Sequence, residues 1–159
     1  DQPTDAGDSK ESLMKPAAAK LILILWCVCA LGLPARAETD QEVAARATAL
    51  DVAGAFSNDG FKIRDGHWVG TIAPNESKTF AVNLYSGNQY WFSIGASQPV
   101  KRIAVDVFDE TGAPVTTEKY HADGKAAAGL SVANSGQYFV RVRLEEGAPA
   151  AICFVYSYK

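Results

Sequence analysis

Ser135-Gly136-Gln137-Tyr138-Phe139-Val140-Arg141-Val142-Arg143-Leu144 is the stretch that decides the fold. Tyr138, Val140, Val142 and Leu144 fall on every second position, with Phe139, Arg141 and Arg143 between them. Successive side chains of a strand point to opposite faces, so this strand has one apolar face and one face of arginines and a phenylalanine. Downstream, Gly147-Ala148-Pro149 turns the chain into a second such run, Ala150 to Tyr158, with Ile152, Phe154 and Tyr156 aligned. Upstream, Lys101 to Phe108 aligns Ile103, Val105 and Val107 and ends in the turn Asp109-Glu110-Thr111-Gly112. Lys78 to Tyr85 aligns Phe80, Val82 and Leu84, and Gln89 to Ile94 aligns Tyr90, Phe92 and Ile94. Weaker runs at Phe61–Arg64, His67–Ile72, Val115–His121 and Lys125–Val132 flank glycine-containing turns. About eight or nine short strands separated by turn signals predict an all-β antiparallel sandwich. No long helix separates these strands, which argues against a parallel α/β enzyme.

One helix precedes them. Thr39-Asp40-Gln41-Glu42 is a capping box, in which Thr39 caps and Glu42 reaches back. The alanine-rich run Glu42 to Ala55 follows, with Val43, Ala47 and Leu50 as its expected apolar stripe. Such a helix is marginal alone and needs a docking surface.

The N-terminal part reads as an address. Lys15 and Lys20 precede the uncharged apolar run Leu21 to Leu33, which Pro34 breaks. Ala35-Arg36-Ala37 then supplies a small-x-small cleavage signal. These are the three parts of a secretory signal peptide, and the run is too short to span a bilayer comfortably. The expected organisation is therefore 1–13 upstream residues outside the fold, 14–37 signal peptide, 38–60 helix and turn, and 61–159 sandwich. Cleavage after Ala37 sends the protein to the periplasm or outside the cell. It also leaves Cys153 as the sole cysteine, without a disulfide partner. Cys153 lies in the apolar run Ala150 to Val155 and reads as a buried, inert thiol. The chain of 159 residues carries a formal net charge of −3. Residues 38–159 hold one domain's worth of sequence, and the weak negative charge offers no footprint for nucleic acid.

Four of these segments together resemble the bacterial pre-peptidase C-terminal domain. They are Gly70-Thr71-Ile72 leading to the strand that ends at Tyr85, the aromatic strand Ser86 to Phe92, Val105 to Gly112 with its Asp-x-x-Gly turn, and the Ser-Gly-x-Tyr strand Ser135 to Val142. The resemblance implies a jelly-roll-like sandwich in an exported protein. The family's usual setting is beside a peptidase; here a helix stands in front of the sandwich instead, so the chain is read as a stand-alone member of the same build.

Sites follow from the wetter faces. Tyr85, Trp91, Phe108, Phe139, Arg141 and Arg143 all fall on outward positions, and aromatics mixed with arginines suit a face that holds protein or glycan. Two further readings of these positions stand beside that one. The helix covers part of the face, with Ala81, Ala104, Cys153 and Val155 beneath it, or the face is an oligomer contact. Asp106, Asp109 and Glu110 cluster at a strand end as candidate calcium ligands, since calcium takes oxygen ligands from such loops. No Gly-x-Ser-x-Gly, His-Glu-x-x-His or phosphate-cradling loop occurs. The expectation is a non-enzymatic binding or accessory module. The alternatives are a hydrolase joining His67 or His121 to Asp106, Asp109 or Asp123, and a structural subunit of an envelope assembly. Asn75-Glu76-Ser77 fits the glycosylation sequon and, given the bacterial likeness, is expected to be unmodified.

Overall fold

The computed structural model describes residues 37–159 apart from Asp65. The expectations for the upstream residues and the signal peptide lie outside the described residues. Helix α1 (Asp40–Ser57) is followed by β1 (Lys62–Ile63), β2 (Trp68–Ile72), β3 (Ser77–Leu84), β4 (Gln89–Ala96) and β5 (Arg102–Phe108). Then come β6 (Glu118–Ala122), β7 (Lys125–Ser131), β8 (Gly136–Glu146) and β9 (Ala150–Tyr158). The fold is an all-β sandwich of two antiparallel sheets with one N-terminal helix. The larger sheet has the order β1-β9-β4-β7-β6, with β2 also paired to β9. The smaller has the order β3-β8-β5.

Alternation places the core. Phe92 and Ile94 from β4, Ile152 and Phe154 from β9, Val140, Val142 and Leu144 from β8, and Val105 and Val107 from β5 are all buried between the sheets. Phe80 of β3 stacks on Phe154 of β9 with ring centroids 4.7 Å apart, which ties the two sheets directly. Tyr90 is buried too, and its hydroxyl accepts hydrogen bonds from the Tyr85 backbone N–H at 3.0 Å and Asn88 Nδ2 at 3.2 Å. Its polar end is thus satisfied at the β3–β4 turn.

The helix begins as expected and packs differently. The Glu42 N–H donates to Thr39 Oγ1 at 3.2 Å, and the Thr39 N–H donates to Glu42 Oε2 at 2.8 Å, completing the capping box. The expected stripe does not face the sheet: Val43 and Leu50 are 44% and 41% exposed. The buried face is instead Ala45, Ala49, Val52 and Ala53. Its alanines lie against Ala151, Cys153 and Val155 on the outer face of the larger sheet. Gly95 shows why. A Cβ built there would sit 2.2 Å from the Ala49 backbone nitrogen and 2.7 Å from the Ala45 carbonyl oxygen. The helix backbone rests on the sheet at glycine distance around Gly95, a separation that only small side chains at that point allow. A larger side chain at Ala45 or Ala49, opposite Gly95, would hold the two apart; valine is accommodated only to the side of this point, at Val52 and Val155.

Candidate functional site

The six outward residues picked from the sequence do not form one surface. Trp91 lies on the outer face of the larger sheet and is covered. Its indole stacks on Phe56 from the helix end, with centroids 4.1 Å apart and planes 8° apart. A Cβ at Gly129 would meet its other side at 2.7 Å. Both faces of the ring are therefore taken up by the fold. The covered-face reading describes Trp91, Cys153 and Val155, while Ala81 and Ala104 belong to the other sheet. A hollow of about 380 Å³ opens beside this stack, bordered by Phe56, Trp91, Phe61, Gln89, Glu118 and Lys159.

Phe108, Phe139, Arg141 and Arg143 do come together, on the outer face of the three-stranded sheet. Antiparallel register sets them in rows. Arg141 of β8 lies between Thr79 of β3 and Asp106 of β5, and Phe139 lies between Ala81 and Phe108. Arg143 lies between Ser77 and Ala104. Among the described residues no helix lies over this sheet. Tyr85 is exposed just past the end of β3, at the rim of the same sheet.

The charges on this face form two similar groups. Asp106 accepts from Lys119 Nζ at 2.9 Å and from Arg141 Nη2 at 3.2 Å. Glu145 accepts from Arg143 Nη2 at 2.6 Å and faces Arg102 Nε at 3.8 Å. Each carboxylate is thus shared by two cations. Burial works to raise the Asp106 pKa, but the hydrogen bonds and charges of Lys119 and Arg141 outweigh it and hold the carboxyl below its usual value. The Arg141 guanidinium also lies over the Phe108 ring, 4.6 Å from its centroid, which helps to hold it in position. The Nε atoms of Arg141 and Arg143 are buried against the sheet without a hydrogen-bond partner. The stems therefore lie flat, while the guanidinium ends reach out.

Two of the three candidate calcium ligands, Asp106 and Asp109, are otherwise engaged. Asp109 Oδ1 accepts from the Thr111 N–H at 2.9 Å, Thr111 Oγ1 at 2.6 Å and the Ala113 N–H at 3.0 Å. The Thr111 hydroxyl first, and then the backbone N–H groups, hold the Asp109 carboxyl below its usual value. Asp106 is bound to Lys119 and Arg141, and Asp106, Asp109 and Glu110 form no group suited to a metal ion; among the described residues there is no cluster of three or more such side chains. The two histidines stand apart. His67 Nε2 lies 3.3 Å from Glu38 Oε1, whose other oxygen takes Arg46 at 2.8 Å. His121 is on β6, at the other edge of the larger sheet, with β9, β4 and β7 between them. Cys153 is buried beneath the helix, where desolvation pushes its thiol up to about 11.

Sequence reasoning missed Lys119, Arg102 and Glu145. Lys119 is on β6, in the other sheet, and reaches Asp106 only because β6 lies along the outer edge of β5. The one signal available was charge alternation along β8, which already displayed Glu145 on the parity of Arg141 and Arg143.

These observations define a helix-backed all-β sandwich whose larger sheet is covered over β4 and β9 and whose smaller sheet presents an arginine and aromatic face. No family model matches the chain, and no curated protein resembles it in sequence. Among solved structures it is similar to the crystal structure of Aeromonas hydrophila PliG, a periplasmic lysozyme inhibitor of g-type lysozyme. The identity is 14% and the TM-score 0.46, over 59% of this chain and 85% of that one. Among the described residues no helix is long and apolar enough to cross a membrane.

Proposed function

We propose that this is an exported, non-catalytic binding module that holds a protein partner on the outer face of its three-stranded sheet. One observation carries the reading. The two sheets are treated differently: α1 covers the central strands β4 and β9 of the larger by alanine-to-glycine packing, whereas among the described residues no helix covers Arg141, Arg143, Phe108 and Phe139 on the smaller. Arginine and aromatic side chains are the types that anchor protein interfaces, and here the strand register and the Phe108 contact hold them in place before binding. A broad, shallow sheet surface suits another protein better than a small molecule, which needs a concave site. The signal-like N-terminus supports export.

Photo-crosslinking in the producing cell tests this. A crosslinking residue at Thr79, which is exposed beside Arg141, is compared with one at Leu50 on the outer side of α1. Defined adducts from Thr79 and none from Leu50 are expected. Adducts from Leu50 alone, or from neither position, would refute the reading. A g-type lysozyme, the target of the Aeromonas inhibitor, and peptidoglycan fragments serve as purified arms.

A further inference from the structure

The same face contains a place for one particular kind of contact. Beside Asp106 is a hollow of about 240 Å³ whose walls include Phe108, Pro114, Val115, Lys119 and Arg141. Its charge is unbalanced, since two cations share the single carboxylate of Asp106. Lys119 has three N–H donors and Arg141 five, and each gives one hydrogen bond to Asp106. Lys119 is 53% exposed along its side chain and Arg141 37%, so their remaining terminal donors face the hollow and solvent. The guanidinium is held over the Phe108 ring, so less freedom is lost when it takes a second acceptor. Phe108, Pro114 and Val115 line the hollow with apolar surface that methylene groups can cover. The Glu145 group repeats the imbalance, with Arg143 and Arg102 on one carboxylate. The face thus carries a surplus of positive charge on residues 38–159, which hold 11 basic and 14 acidic side chains.

Resting on the reading of this face as an interface, we propose that the hollow between Lys119 and Arg141 is its anchor point and takes a glutamate side chain of the partner protein. The carboxylate would receive N–H groups from Lys119 and Arg141, opposite Asp106, and its methylenes would lie on Phe108 and Pro114. An acidic partner also matches the surplus charge of the whole face, which speeds encounter and selects against basic partners.

The probe is N-acetylglutamate amide, titrated into the isotope-labelled protein and followed by NMR. Saturating shifts at Phe108, Lys119 and Arg141 are expected at millimolar concentration. N-acetylglutamine amide should bind at least about five-fold more weakly, because it lacks the charge. Lys119→Gln should weaken the glutamate probe about three-fold. Lys101→Gln, which removes the separate Lys101–Glu146 pair, should not change it. Equal binding of the glutamine probe, or no effect of Lys119→Gln, would overturn the proposal. Tighter binding of glucuronate would assign the hollow to an acidic sugar and overturn it equally. The crosslinking readout separates the two levels. Adducts from Thr79 with no glutamate binding leave the interface standing without this anchor. Glutamate binding without adducts removes the interface, and the anchor with it.

Discussion

Adding one methyl group at Gly95 tests the helix seal, on which the division between covered and open sheets depends. The new Cβ of Gly95→Ala would lie 2.2 Å from Ala49 N, 2.6 Å from Thr48 C and 2.7 Å from Ala45 O. All three are helix backbone, so no side chain can rotate out of the way. Ordinary contact begins near 3.4 Å, so the helix must retreat by roughly 1 Å along its central turns. A gap of that size forfeits a quarter to a half of each dispersion contact across the seam, and overpacking of this kind costs about 1–3 kcal/mol. Taking about 2 kcal/mol, and about 4 °C per kcal/mol for a domain of this length, the melting midpoint should fall by about 8 °C. Gly54→Ala is the matched control. It is exposed in the same helix, and its Cβ would meet nothing within 4 Å. Better helix propensity should raise stability by about 0.5–1 kcal/mol. Differential scanning calorimetry of the two variants should move in opposite directions. A Gly95→Ala midpoint within about 2 °C of the parent would refute the argument for backbone-distance packing.

Three further outcomes follow from the same geometry. Trp91→Ala should destabilise the protein by about 2–4 kcal/mol, read by urea unfolding, because it removes the stack under Phe56 and opens a void over Gly129; an unchanged midpoint would make Trp91 a surface residue. Cys153, with its thiol pushed up to about 11, should remain unlabelled by iodoacetamide at pH 8 in the native protein and react once urea is added; native labelling detected by peptide mass would show that the helix does not seal it. Asp109 has a folded pKa below its unfolded one, so its support of the Asp109–Gly112 turn is fully present above about pH 3.9 and is lost as pH falls through the lower folded value. The Thr111 and Ala113 amide shifts should titrate below about pH 3.9, and Asp109→Asn should abolish that titration; a midpoint at or above the ordinary value would contradict it.

Much of this fold could be read from residue pattern because its strands alternate cleanly. Tyr138, Val140, Val142 and Leu144 turned inward as their spacing required, and the Ala150–Tyr158 strand has the expected bounds. Thr39 and Glu42 likewise form the capping box their spacing predicted. The helix stripe was misread because hydrophobicity was taken as the measure of burial. At this contact size decides opposite Gly95: the helix comes so close that Ala45 and Ala49 face the sheet there, Val52 packs to the side, and Val43 and Leu50 point outward. The site was only half legible for a different reason. Alternation tells which side of its own strand a residue occupies, but not which sheet the strand joins. Trp91 and Arg141 share the outward sense, yet β4 and β8 belong to different sheets, one covered and one open. Lys119 was invisible because its role depends on β6, at the edge of one sheet, lying near β5, at the edge of the other, a contact between sheets that no local pattern records.

The most direct test of the central claim is hydrogen exchange on the protein alone and bound to the partner captured from Thr79. Binding on the open sheet should slow exchange in Ser77–Leu84 and Arg102–Phe108, on either side of the arginine strand, and leave Asp40–Ser57 unchanged. Slowed exchange confined to Asp40–Ser57, with the two sheet segments unaffected, would contradict it and move the interface to the helix.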